Sequence, residues 1–96
     1  MKFRSALKRI NSRINEKVRR KTWEKGWSIQ IEDTLILFTN TKEHIEVLNF
    51  RLSVQDMLAD DWIVVSEKED LEVVPDPGAK YQRYDIERVE VLNNES

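Results

Sequence analysis

The stretch Trp27-Ser28-Ile29-Gln30-Ile31-Glu32-Asp33-Thr34-Leu35-Ile36-Leu37-Phe38-Thr39 decides the fold. Trp27, Ile29 and Ile31 alternate with Ser28, Gln30 and Glu32, the pattern of a strand with one face buried and one wet. Glu32-Asp33 supplies a hairpin connection, and the β-branched and apolar run from Thr34 to Thr39 suits a central strand. A two-stranded hairpin needs an apolar partner, and the flanking sequence offers one on each side.

Upstream, Phe3, Ala6, Leu7, Ile10 and Ile14 recur at helical spacing and form one apolar stripe. Arg4, Lys8, Arg9 and Arg13 lie largely off it. The helix is expected to end near Asn15, a residue that tolerates the left-handed conformation, and to dock on the sheet. Lys17 to Arg20 reads as a short strand with Val18 and Arg20 on one face, and Thr22 to Gly26 as a turn. Downstream, Asn40-Thr41-Lys42 is a turn and Ile45 and Val47 mark another strand. Ser53-Val54-Gln55-Asp56 has the form of a weak capping box, opening a short helix with Val54, Met57 and Leu58 as its apolar face. Trp62 to Val65 is then a strand.

Residues 66–72 are mostly charged and are expected to form a loop. Pro75-Asp76-Pro77-Gly78 is a turn, and Ile86, Val89 and Val91 allow an extra strand at 84–92. The expected architecture is α+β. A small antiparallel sheet carries an N-terminal helix and a short helix, with residues 1–65 as the domain and 66–96 as a C-terminal extension.

Composition excludes several classes. The chain of 96 residues has no cysteine and one histidine, His44, so disulfides, thiol nucleophiles and Cys-ligated metals are ruled out. His44 is expected at a strand edge beside Lys42 and Glu43. No apolar run approaches the ~20 residues of a membrane span, and a cytoplasmic location is expected. Ser28 or Ser53 with His44 and an acid lacks the glycines of a nucleophile elbow. Asp60-Asp61 reads as a helix terminus in solvent more readily than as a metal site. With Gly26 and Gly78 as the only glycines, there is no phosphate loop. Catalysis, a cofactor and a metal are therefore not expected.

Charge is unevenly spread. Residues 1–27 hold ten basic groups and two acids, a segment of +8 inside a chain of net charge −2. Within it, Arg19, Arg20, Lys21, Trp23, Lys25 and Trp27 interleave cations with indoles. An indole stacks on a base while a guanidinium grips phosphate oxygens in a fork. The same chemistry suits single-stranded nucleic acid. The alternative for Trp23 and Trp27 is plain core packing, and for Trp62 core packing is the expected role.

Three segments carry a family resemblance. Phe3…Ala6-Leu7…Ile10, Val18-x-Arg20-x-x-Trp23, and Asp56-Met57-Leu58-Ala59-Asp60-Asp61-Trp62 followed by Val64-Val65 resemble the Thoeris anti-defence two family over about residues 3–65. Thr22 stands where that family often has Gly, and Asn49-Phe50 where many members have Pro-Trp. The resemblance implies a small phage α+β protein, homotetrameric, with ligand pockets between protomers. Such proteins sequester cyclic ADP-ribose-type signals, or in some members cyclic oligonucleotides, without degrading them.

By resemblance, Arg20 and Trp23 are pocket positions. With Arg19, Trp27, Asn49 and Phe50 they make the candidate ligand site. Trp23, Trp27 and Phe50 would enclose a base or ribose, and Arg20 with Arg19 or Lys21 would hold a pyrophosphate. Two further classes remain open. One is a nucleic-acid-binding module using the basic segment; the other is a phage structural or assembly protein in which that segment meets the acidic part of a neighbour.

Overall fold

The computed structural model describes residues 1–13, 15–73 and 80–86. Six strands form one sheet: β1 (Val18–Arg20), β2 (Trp27–Glu32), β3 (Leu35–Asn40), β4 (Ile45–Leu48), β5 (Trp62–Val64) and β6 (Gln82–Asp85). Their order is β5-β1-β2-β3-β4-β6. Helix α1 (Phe3–Ser12) precedes the sheet, α2 (Val54–Leu58) leads into β5, and α3 (Glu67–Val73) follows it. The architecture is α+β.

The hairpin 27–40 is the centre of the sheet. Ile29 pairs with Phe38 and Ile31 with Ile36. Asp33 and Thr34 both take positive φ, 48° and 71°, the backbone that matches the twist of a two-residue hairpin turn. Val64, Val18, Ile29, Phe38, Val47 and Tyr84 then fall in one register row across all six strands. Directly paired residues share a face of the sheet, so this row lines the α1 side. Helix α1 buries Ala6 and Ile10 against Val18, Ile29 and Trp62. Ile29 and Val18 are fully buried, each burial worth roughly 1.5–3 kcal/mol.

Helix α1 is shorter than its stripe suggests, closing at Ser12 with Arg13 as C-cap. Ser12 Oγ donates to the Lys8 carbonyl at 2.9 Å, and Asn15 has φ 70°. Ser53 caps α2 as expected, its oxygen accepting from the Asp56 N–H at 3.1 Å. Asp56 completes the contact through the Ser53 hydroxyl, which donates to Oδ2 at 2.9 Å. Val54, Met57 and Leu58 do not bury that helix, since all three are exposed.

One expectation beyond residue 65 is corrected, and so is the wholly antiparallel sheet. Residues 66–72 are no loop, because Glu67–Val73 is helical. Ser66 Oγ accepts from the Glu69 N–H at 3.1 Å, an N-cap in a Ser-x-x-Glu sequence. The sheet gains a strand over Gln82–Asp85, which takes in the first two residues of the expected 84–92 segment. This strand joins β4 in parallel, so the sheet is mixed and not wholly antiparallel. Arg83 anchors it, bonding Glu32 at 2.7 Å and lying 3.6 Å from Glu46. The Pro75–Gly78 turn and residues 87–92 of the expected strand lie outside the described residues.

Candidate functional site

Alternation along β1 sends its two arginines to opposite faces. Arg20 shares the α1 face with its partner Trp62, whereas Arg19 pairs with Ile63 on the other face. Arg19 is 7% exposed. Its Nε donates to Glu69 Oε1 at 2.6 Å, and Nη1 donates to the carbonyls of Arg20 and Trp23 at 3.0 and 3.2 Å. These bonds fasten α3 and the 21–23 turn to β1.

Arg20 sits between two carboxylates. Nε donates to Asp61 Oδ1 at 2.9 Å, Nη2 to Oδ2 at 3.4 Å, and Nη1 to Asp56 Oδ1 at 2.8 Å. The hydrogen bonds from Arg20 hold Asp61 below the usual carboxylate value. Burial pushes the Asp56 carboxyl up, but the bonds from Arg20 and Ser53 outweigh it and leave the group lowered. Arg20 is raised by hydrogen bonding to Asp61 and then Asp56. A guanidinium has five N–H donors. Three are engaged by described residues.

The indoles meet beside this cluster. Trp23 is edge-on to Trp62, with ring centroids 5.1 Å apart, and similarly to Phe38 at 6.1 Å and Trp27 at 6.5 Å. Trp27 meets Phe38 edge-on at 5.8 Å. Phe50 stacks on Phe38 at 4.7 Å with the ring planes 22° apart. The left-handed Asn49, φ 58°, turns the chain so that the Phe50 N–H donates to the Ile36 carbonyl at 3.0 Å. Trp23, Trp27, Phe38 and Phe50 are all half-buried, and Trp23, Phe38 and Phe50 pack against the core cluster.

The structure therefore brings Arg20, Trp23, Trp27, Asn49 and Phe50 to one side of the sheet and leaves Arg19 on the other. Phe38 joins the aromatic residues, yet its place in a hydrophobic strand gave no hint of more than core packing. Asp56 and Asp61 are likewise site-adjacent through Arg20. For Asp61 this corrects the solvent-facing helix end, since its carboxylate is ion-paired.

His44 lies at the edge of a strand, directly before Ile45. It takes φ 54° before β4, its ring lies 4.9 Å from that of Tyr81, and both ring nitrogens are buried without a hydrogen-bond partner. Ser53 spends its oxygen on the α2 cap. Among the described residues no group of three His, Asp or Glu side chains is placed to hold a metal. No described helix is long and apolar enough to cross a membrane. Two clefts of about 210 and 320 Å³ lie between α1 and the β2–β3 hairpin, sharing Asn11 and Ile31 in their walls. None of the six candidate residues lines either.

No curated protein and no solved structure significantly matches the chain. The Thoeris anti-defense 2-like (Tad2-like) domain matches residues 1–65, the span from α1 through β5 that contains the Arg20 cluster and the aromatic residues. That match covers more than half of the 96 residues, and the chain belongs to the Tad2-like, Thoeris anti-defense 2-like domain family.

Proposed function

We propose that the protein binds and sequesters a cyclic nucleotide immune signal, a cyclic ADP-ribose isomer or a cyclic oligonucleotide, and so blocks host anti-phage defence without consuming the signal. The observation that carries this reading is the convergence of Trp23, Trp27 and Phe50 on Phe38, beside Arg20, within a Thoeris anti-defence domain. Half-exposed indoles offer stacking surface for a base. Arg20, held in place by Asp56 and Asp61, supplies the guanidinium for a phosphate oxygen. Retention of a ligand calls only for slow release, so no nucleophile or proton-transfer pair is required.

A homotetramer with the ligand between protomers completes this reading. The aromatic surface is a wall more than an enclosure, and a second protomer would close it and exclude water. The exposed Val54, Met57 and Leu58 on α2 offer one apolar surface for such contact. The nucleic-acid reading is weaker in the folded chain. Arg9, Arg13, Lys17, Arg19, Arg20 and Lys25 all pair with the protein's own acids.

The test is a capture-and-release experiment. Purified protein is incubated with cyclic ADP-ribose isomers and cyclic dinucleotides, freed of unbound ligand and heat-denatured, and the supernatant is analysed. Intact nucleotide is the expected product. A hydrolysed product overturns non-enzymatic sequestration, and no retained nucleotide overturns the reading altogether.

A further inference from the structure

Helix α3 follows the family-matched span and lies on the sheet face opposite the aromatic residues. Three of its acids each meet a different cation of the β1 region. Glu69 bonds Arg19 at 2.6 Å, Asp70 meets Lys17 at 2.7 Å, and Glu72 meets Lys25 at 3.4 Å. Lys17 and Arg19 are two positions apart along an extended chain and so point to one face. Lys25 joins them from the turn before β2. The three carboxylates mark where anionic oxygens sit on this surface.

Several features show that α3 is attached by charge. It has no buried residue, and Leu71 on it is 77% exposed. Arg19 keeps its bonds to the Arg20 and Trp23 carbonyls independently of Glu69. Without Glu69, Arg19 would be an almost buried cation lacking its anion, a state that strongly favours another anion taking its place. Pairs as exposed as Lys25–Glu72 are weak and screened by salt.

We propose that Lys17, Arg19 and Lys25 form a phosphate-binding surface, and that α3 occupies it as an internal anion which a phosphate-bearing ligand displaces. This surface is separate from the Arg20 and aromatic site, and it stands whether or not that site holds a cyclic nucleotide. The chemistry common to its ligands is the phosphate group, borne by a free pyrophosphate or by a single-stranded oligonucleotide.

The full-length chain carrying Glu69→Gln, Asp70→Asn and Glu72→Gln is compared with wild type for binding inorganic pyrophosphate and a short single-stranded oligodeoxynucleotide at low salt. The variant is expected to bind at least one of them tenfold or more tightly than wild type, with affinity falling as salt rises. A gain for pyrophosphate alone assigns a compact phosphate site, and a gain for the oligonucleotide alone assigns an extended track. Adding Lys17→Gln and Lys25→Gln should remove the gain. A folded triple variant with no gain for either probe overturns the proposal. Should that variant fail to fold, hydrogen exchange on wild type decides: saturating probe must speed exchange of the 67–73 amides, and unchanged exchange overturns the proposal.

Discussion

Trp62 Nε1 donates to the Asp56 carbonyl at 2.9 Å, closing the six-residue span between them into a ring of helix, bend and strand. The indole is 1% exposed and meets Phe3 at 5.3 Å and Trp23 at 5.1 Å. The backbone N–H of Trp62 also donates to the Met1 carbonyl at 3.0 Å. One residue thus ties α1, α2 and the candidate site to a single point. The Asp56-to-Trp62 spacing sets the Asp56 carbonyl at the N–H edge of the indole.

Trp62→Ala should therefore destabilise the fold by about 3–5 kcal/mol, the range for removing a buried tryptophan. Trp62→Phe should recover part of that loss but not the Asp56 contact. Urea unfolding curves for the three proteins measure both effects.

Acid should loosen the Arg20 cluster. The folded pKa values of Asp56 and Asp61 lie below the ordinary 3.8. Their contribution is fully present above that value and is lost as pH falls through the depressed folded values. The urea midpoint of wild type should fall in this acid range. Asp56→Asn with Asp61→Asn should have a lower midpoint at neutral pH and a flatter decline below pH 3.8. Equal slopes for the two proteins would remove the ion pairs as the cause.

Gly26 has φ +101°, and a Cβ there would lie 3.4 Å from Lys42 Cγ and 3.8 Å from Val73 Cβ. Its carbonyl also accepts from the Thr41 N–H at 2.8 Å, so the turn has little freedom to relax. Gly26→Ala should cost about 1–2 kcal/mol, mostly backbone strain, read as a lower thermal midpoint.

Phe38 separates packing from ligand contact. Phe38→Ala removes the ring shared by Trp23, Trp27 and Phe50, and should cost about 2–4 kcal/mol because the ring is half-buried. Phe38→Leu should restore most of the stability while leaving nucleotide retention reduced. Trp23→Ala with Arg20→Ala should abolish retention in the capture experiment. Retention unchanged in that double variant would place the ligand elsewhere.

Leu58 is 80% exposed and Val54 65%. Leu58→Asp should leave the protomer's helix content unchanged and lower the mass measured by sedimentation if α2 is the assembly surface. An unchanged mass moves the assembly contact to another face.

Local rules made much of this chain legible without coordinates. Period-two alternation at 27–31 gave the hairpin, the stripe from Phe3 to Ile10 gave α1, and Ser53 announced α2. Each depends on neighbours within a few residues, which is the range over which propensity and capping act. Alternation along β1 even separates Arg19 from Arg20. The interleaved cations and indoles nevertheless read as a single site, because linear proximity conceals that a sheet has two faces. Residues 66–72 went the other way: a high charge density looked like a loop, although Ser66 and Glu69 carry a capping signature.

What the sequence determined by itself was α1, the central hairpin, α2 and the separation of charge along the chain. Tertiary structure decided what each charge does. In the +8 segment Arg9 and Arg13 meet Glu16 locally, while Lys17, Arg19, Arg20 and Lys25 are met by Asp56 and Asp61 on one face and α3 on the other. Those partners lie 36 to 50 residues away from Arg19 and Arg20 in the chain. Coulombic pairing depends on distance in space, and only the folded sheet sets that distance.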